Sequence, residues 1–87
     1  FHGKYTSNGE VYNMYAYTAA SKILPMNTKI KVTNLNNYKS VVVRVNDRGP
    51  FVDDRILDLS YIAGKKIGLD KSGIAPVEIV VLSTPTK

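Results

Sequence analysis

The sequence predicts a mainly β fold: a small barrel of short strands carrying one short helix. Three observations predict it. Short runs rich in β-branched residues recur along the chain, the connections between them are rich in Gly, Pro and Asn, and a single stretch carries helix punctuation at both ends. Closing such a sheet into a barrel also removes the unpaired edges that a small open sheet would have to protect. With 87 residues, 44% of them hydrophobic, and no cysteine, one core must supply the stability without disulfide or thiolate staples.

The elements follow in order. Tyr15 to Ala20 reads as a strand, although Ala19 to Leu24, ahead of Pro25, also fits a helical turn. Lys29 to Leu35 nearly alternates, with Ile30, Val32 and Leu35 apolar, and Asn36-Asn37 then supplies residues that tolerate positive φ for a hairpin turn. The return strand is Ser40 to Asn46. Its Val41, Val42, Val43 and Val45 suit a strand buried on both faces or one closing a barrel. Arg55 to Leu57 is too short to assign alone. Ser60 can cap a helix of about two turns in which Ile62, Ala63 and Ile67 share a face. Lys65 and Lys66 suit its C-terminal end, and Gly68 can stop it. Val77 to Leu82 is the last strand, entered through Pro76.

Twelve Lys and Arg against seven Asp and Glu give a formal charge of +5, which attracts polyanions of any kind, from nucleic acid to anionic lipid to carboxylate-bearing wall polymer. The basic residues are scattered (Lys4, Lys22, Lys29, Lys39, Lys65, Lys71) rather than gathered in a stripe, which argues against nucleic acid. No apolar run is long enough to cross a membrane. The chain starts at Phe1, so a processed or excised domain of a longer protein is expected.

Two segments are too polar and too constrained for ordinary turns: Phe1 to Glu10, and Asn46-Asp47-Arg48-Gly49-Pro50-Phe51 directly after the valine strand. Asp47 and Arg48 emerge where a rigid apolar strand ends, and a carboxylate there can be partly desolvated, as a general acid requires. The same spacing also suits a turn-capping Asp beside a surface Arg. Glu10 follows the turn dipeptide Asn8-Gly9 and taken alone reads as a solvated loop residue. Asp58 stands just before the helix, where an Asp can cap it, and Asp53-Asp54 reads as an acidic turn. His2 is the one histidine; without cysteines it makes no zinc signature, and neither a nucleophile elbow nor a phosphate-cradling loop is present. Six tyrosines, with Tyr5, Tyr12, Tyr15 and Tyr17 close together, can stack on sugar rings or cover a barrel rim.

These motifs, in this order, resemble a known family. Phe1-His2-Gly3, Thr6 and Gly9-Glu10 look like its first signature. Thr18-Ala19-Ala20, Leu24-Pro25, Val32-Thr33-Asn34-Leu35, Val43 to Phe51 and Arg55 to Ser60 continue it, with Asn46-Asp47-Arg48-Gly49-Pro50 the most specific block. Together they resemble the double-psi β-barrel domain of the rare lipoprotein A family of septal lytic transglycosylases and, more distantly, expansins and small endoglucanases. The resemblance implies a six-stranded double-psi barrel over residues 1–87, trimmed of an upstream strand. It implies cleavage of the peptidoglycan bond from N-acetylmuramic acid to N-acetylglucosamine, leaving a 1,6-anhydro end. It also implies a periplasmic or outer-membrane lipoprotein at the division septum; the sequence does not give the oligomeric state, and a monomer is expected. Peptidoglycan would be the partner, the only membrane tie would be a lipid anchor outside this stretch, and neither cofactor nor metal would be needed.

The family's functional residues fall on Glu10 and Asp47, and Asp58 matches the acid of the related endoglucanases. Asn46 and Arg48 would orient sugar or carboxylate groups. Two positions depart from the pattern: Ser21 stands where the family carries histidine, and Asn13 where it often carries aspartate. Ser21 cannot titrate near neutral pH and Asn13 carries no charge, leaving His2 as the remaining imidazole. Those departures keep open a rival reading, a glycan-binding module that does not cut.

Overall fold

A computed structural model describes residues 3–51, 55–72 and 74–85, with the side chains of residues 71 and 72 left undescribed. His2 and the Asp53-Asp54 turn lie outside the described residues. Five strands and two short helices run in the order β1 (Thr18–Ser21), β2 (Lys29–Asn34), β3 (Ser40–Asp47), β4 (Leu57–Leu59), α1 (Tyr61–Lys66), α2 (Leu69–Ser72) and β5 (Val77–Ser83). The strands form one mixed sheet in the order β4-β1-β3-β2-β5. The fold is mainly β as the sequence predicts, with five strands among the described residues where the resemblance implies six. The two outer strands, β4 and β5, are not hydrogen-bonded to each other. Among the described residues no helix is long and apolar enough to cross a membrane.

The central strand, β3, pairs antiparallel with β2 through the tight hairpin between them and parallel with β1. Period-two alternation sets the faces. Ile30, Val32 and Asn34 of β2 and Val41, Val43 and Val45 of β3 point into the core, while Lys29, Lys31 and Val42 point out. The valine run is therefore buried on one face, and Val42 is 48% exposed. Ala19, Ala63 and Ile67 complete the buried cluster.

The β2–β3 turn departs from its expected chemistry. The positive φ falls on Tyr38 (60°) rather than on Asn36 or Asn37. The asparagines act through their side chains: Asn34 Oδ1 accepts from the Asn36 amide at 2.9 Å and Asn37 Oδ1 from the Lys39 amide at 2.9 Å. Both side-chain amides then donate to the Ile67 carbonyl, at 2.8 and 3.0 Å, tying the turn to the end of α1.

The helix forms where the sequence places it. Buried Ser60 caps α1, accepting from the Ala63 amide at 3.4 Å and donating to the Ala16 carbonyl at 2.6 Å. Gly68 follows the helix at φ 85°, where an L side chain is strained, and a Cβ there would lie 2.7 Å from Asn37 Nδ2 and push that side chain aside. Asp58 is not the cap; it lies in β4, opposite Ala20. β1 is shorter than Tyr15 to Ala20 because residues 14–16 turn, with the Ala16 amide donating to the Asn13 carbonyl at 3.1 Å.

Ile30 faces Val43 and Val81 across its two neighbours and is fully buried. Ile30→Ala should lower the unfolding free energy by about 2–5 kcal/mol, and Val42→Ala, on the outer face, by less than about 1 kcal/mol, as read from urea denaturation midpoints.

Candidate active site

The site is assembled where an N-terminal hairpin meets the end of β3. Residues 3–12 fold back on themselves: the Gly3 amide donates to the Tyr12 carbonyl at 2.9 Å, the Thr6 amide to the Glu10 carbonyl at 2.7 Å, and the Gly9 amide to the Thr6 carbonyl at 3.0 Å. Gly9 takes φ 80°, so the Asn8-Gly9 turn read from sequence is real and is the hairpin tip. The tip docks on β3, with the Asn8 amide donating to the Asn46 carbonyl at 3.2 Å.

Glu10 is not a solvated loop residue. Arg44 grips it with both arms, Nη1 to Oε2 at 2.6 Å and Nη2 to Oε1 at 2.7 Å. Asn8 Nδ2 adds a bond to Oε2 at 2.8 Å and Asn46 Nδ2 one to Oε1 at 3.4 Å. Asn27 Oδ1 accepts from Arg44 Nη1 at 2.9 Å. The Arg44 hydrogen bonds, reinforced by Asn8, Asn46 and the Arg44 charge, outweigh partial burial and hold the Glu10 carboxyl at about 2, against an ordinary 4.5. The pair in turn strengthens Arg44's hold on its proton.

Asp47 is bound differently. Its Oδ1 accepts from the Ser7 hydroxyl at 2.5 Å, the Ser7 amide at 2.8 Å and the Arg48 amide at 2.8 Å. Its Oδ2 has no donor among the described residues. Burial pushes the Asp47 carboxyl up, but the Ser7 hydroxyl and the two amides together draw it below its ordinary value. A bulge in β3 sets its direction: Ala19 faces Val45, Ala20 faces Asp47, and Asn46 is skipped.

Asp47 lines a groove of about 730 Å³, together with Lys4, Tyr5, Ser7, Tyr12, Phe51, Arg55 and Asp58. Asp47 and Asp58 thus share one groove, and Glu10 stands outside its lining, joined to it through Asn46. Asp58 is ion-paired with Arg55. Tyr5 and Phe51 are 78% and 85% exposed, so two aromatic faces are open at the groove. Tyr15 and Tyr17 lie elsewhere: Tyr15 meets Tyr61 edge-on at 6.2 Å, and Lys66 sits over the Tyr17 ring at 5.6 Å.

Three other candidates hold the framework. Ser21 is 1% exposed, and its hydroxyl accepts from the Ile23 and Leu24 amides at 3.3 and 3.1 Å. Arg48, which lines the groove, donates Nη1 to the Ser21 and Leu24 carbonyls at 2.8 and 2.6 Å and so fastens the loop after β1. Asn13 Oδ1 accepts from the Tyr15 amide at 2.9 Å in a local turn. Sequence reasoning gave no role to Arg44, Ser7 or Asn27. One signal was available for Arg44: a charge set among valines in a strand calls for a counter-charge.

The model of the lytic transglycolase family of double-psi β-barrel domains matches residues 1–79. The chain belongs to this family. It is 61% identical over 82 residues to the endolytic peptidoglycan transglycosylase RlpA of Helicobacter pylori, covering 94% of this chain and 26% of that protein. It is 63% identical over 82 residues to the protein of the same name from Campylobacter jejuni (94% and 30% covered). The counterpart from Vibrio cholerae is 58% identical over 89 residues (100% and 34% covered). The chain spans about a quarter to a third of the length of these curated relatives.

The Glu10 carboxyl is depressed on folding, so the stability it adds is complete above about pH 4.5 and fades as pH falls towards about 2. Glu10→Gln should therefore lower the thermal midpoint at pH 7 and flatten its pH dependence across that window. Parallel melts of the two proteins by circular dichroism check this.

Proposed function

We propose that this chain is the catalytic domain of an endolytic lytic transglycosylase. It would cleave peptidoglycan between N-acetylmuramic acid and N-acetylglucosamine and leave a 1,6-anhydro end. The observation that carries the reading is Asp47: a carboxylate in a sugar-sized groove, held on one oxygen by neutral donors and, among the described residues, open on the other. Family membership and the names of its relatives support the same substrate.

The reaction needs one group that gives a proton and takes one back. Asp47, protonated on Oδ2, donates to the glycosidic oxygen as the bond to the anomeric carbon breaks. The 6-hydroxyl of the same muramic acid then attacks that carbon and returns its proton to Asp47, so no water is consumed. Because the nucleophile is already tethered, its effective concentration reaches about 10⁵ M or more in good geometry. A pair of carboxylates at fixed separation, as ordinary glycosidases use, is not required. Glycan in the groove strips water from Oδ2. Burial already acts to raise the Asp47 carboxyl, and further burial raises it towards the range of a working acid.

Glu10 serves as the ionised anchor of the site, since Arg44 keeps a proton off it. Asp58, paired with Arg55, lines the same groove, across Ala20 from Asp47. Tyr5 and Phe51 offer faces for sugar rings. No cofactor or metal enters this scheme. The site of action is the cell wall outside the cytoplasmic membrane: the periplasm or outer membrane of a bacterium, at the septum, through a lipid anchor beyond this stretch.

The second reading, an expansin-like module that binds glycan without cutting, draws on Ser21, whose buried hydroxyl leaves no titrating group at that position. Digestion of purified sacculi separates the two. The wild-type chain should release 1,6-anhydro muropeptides, and Asp47→Asn should reduce that release about 10²–10⁴-fold while still sedimenting with sacculi. Sedimentation of the wild type with no anhydro product would leave the binding module.

A further inference from the structure

Ser7 stands closer to Asp47 than any function yet assigned to it explains. Its hydroxyl and its amide both donate to Asp47 Oδ1, at 2.5 and 2.8 Å, across 40 positions of sequence. The hydroxyl also accepts from the Arg48 amide at 3.3 Å, so its own hydrogen is directed at the carboxylate. Ser7 itself lines the groove. Resting on the reading of Asp47 as the proton carrier, we propose that Ser7 is a positioning residue that fills Oδ1 and confines the transferable proton of Asp47 to Oδ2.

Oδ1 already takes three donors, and a proton placed on it would have to displace one of them. Oδ2 takes none among the described residues. The Ser7 hydroxyl is also the one donor of the three that a side-chain change can remove, because the other two are main-chain amides. It favours the charged form of Asp47, so removing it must make the proton harder to lose. Other charged and titratable groups around Asp47 are Lys4, Tyr5, Tyr12, Arg48, Arg55 and Asp58 along the groove, with the Glu10–Arg44 pair behind Asn46. Arg48 and Asp58 are committed to partners of their own, and none of these side chains is hydrogen-bonded to Asp47.

The test needs no turnover. The Asp47 carboxyl carbon is titrated by NMR in the 87-residue chain as wild type, Ser7→Ala and Ser7→Thr. The midpoint should move to higher pH in Ser7→Ala and return in Ser7→Thr, with the Glu10 midpoint unmoved in all three. An Asp47 midpoint that does not respond to Ser7→Ala overturns the inference. So does one that moves together with Glu10, since that would mean a loosened hairpin. The high-pH limb of anhydro-product release should follow the Asp47 midpoint upward in Ser7→Ala. A wild type that releases no product sinks the enzymatic reading, and the carboxyl titration still decides the role of Ser7. Product release with an unresponsive midpoint sinks the role of Ser7 alone.

Discussion

The two-armed contact between Arg44 and Glu10 is the constraint on which the site depends. Arg44 is half-buried on the central strand of the sheet, and a guanidinium taken from water costs several kcal/mol unless it is well paired and fully hydrogen-bonded. Glu10 pairs with it through both oxygens, and Asn27 takes a further donor. Glu10 belongs to the hairpin of residues 3–12, which also meets the end of β3 through the Ser7 bonds to Asp47 and the Asn8 amide on the Asn46 carbonyl. Because fork and carboxylate fit in one geometry only, the pair fixes where the tip lies, and with it Ser7 and Asn8. The partners of Asp47 are thus set by an ion pair that does not itself line the groove.

The bulge at Asn46 is the second constraint. Along β3, residues alternate between core and outer face up to Val45, which is in the core. Continued alternation would send Asp47 inward as well, to a position where a carboxylate would be buried among valines. Skipping Asn46 in the register breaks the alternation: Val45 and Asn46 are both buried, and Asp47 is delivered to the groove. Asn46 can take the extra place because its amide finds Glu10 and its carbonyl finds Asn8. A residue without a donor there would leave the Glu10 cage one bond short.

Much of this was legible in the sequence wherever a local rule decides the outcome. β2, β3, β5 and the cap-to-stop frame of α1 follow from alternation, β-branching, Ser60 and Gly68, each of which acts within a few residues. The family resemblance placed Glu10 and Asp47 as the residues of interest. Tertiary forces decided what was hidden. The turn after β2 puts its left-handed residue at Tyr38, while the side chains of Asn34 and Asn37 bond the Ile67 carbonyl at the end of α1. α2 is too short to leave a periodic signal. The division of labour between Glu10 and Asp47 depends on which strand lies opposite, and spacing along a chain carries no record of that. Arg48 bonds the Ser21 and Leu24 carbonyls, and the Ser21 hydroxyl bonds the amides of that same loop, contacts of which spacing along the chain gives no sign.

Three acids gather near one groove, and the kind of partner each one has separates them. Glu10 and Asp58 are bound to cations. A guanidinium keeps its charge at any pH the molecule meets, and the two-armed contact with Arg44 keeps a proton off Glu10. Asp47 is bound to a hydroxyl and two amides, which are neutral. Their pull does not grow as steeply when water leaves, whereas the cost of keeping a bare charge on Oδ2 does. In the proposed reaction a glycan over the groove would therefore push Asp47 towards a proton, while Arg44 keeps Glu10 ionised. Reactions that proceed through an internal hydroxyl need only one such acid. In the proposed reaction the acid is the one carboxylate of the three with no cation bonded to it among the described residues, while Glu10 and Asp58 are each paired with an arginine.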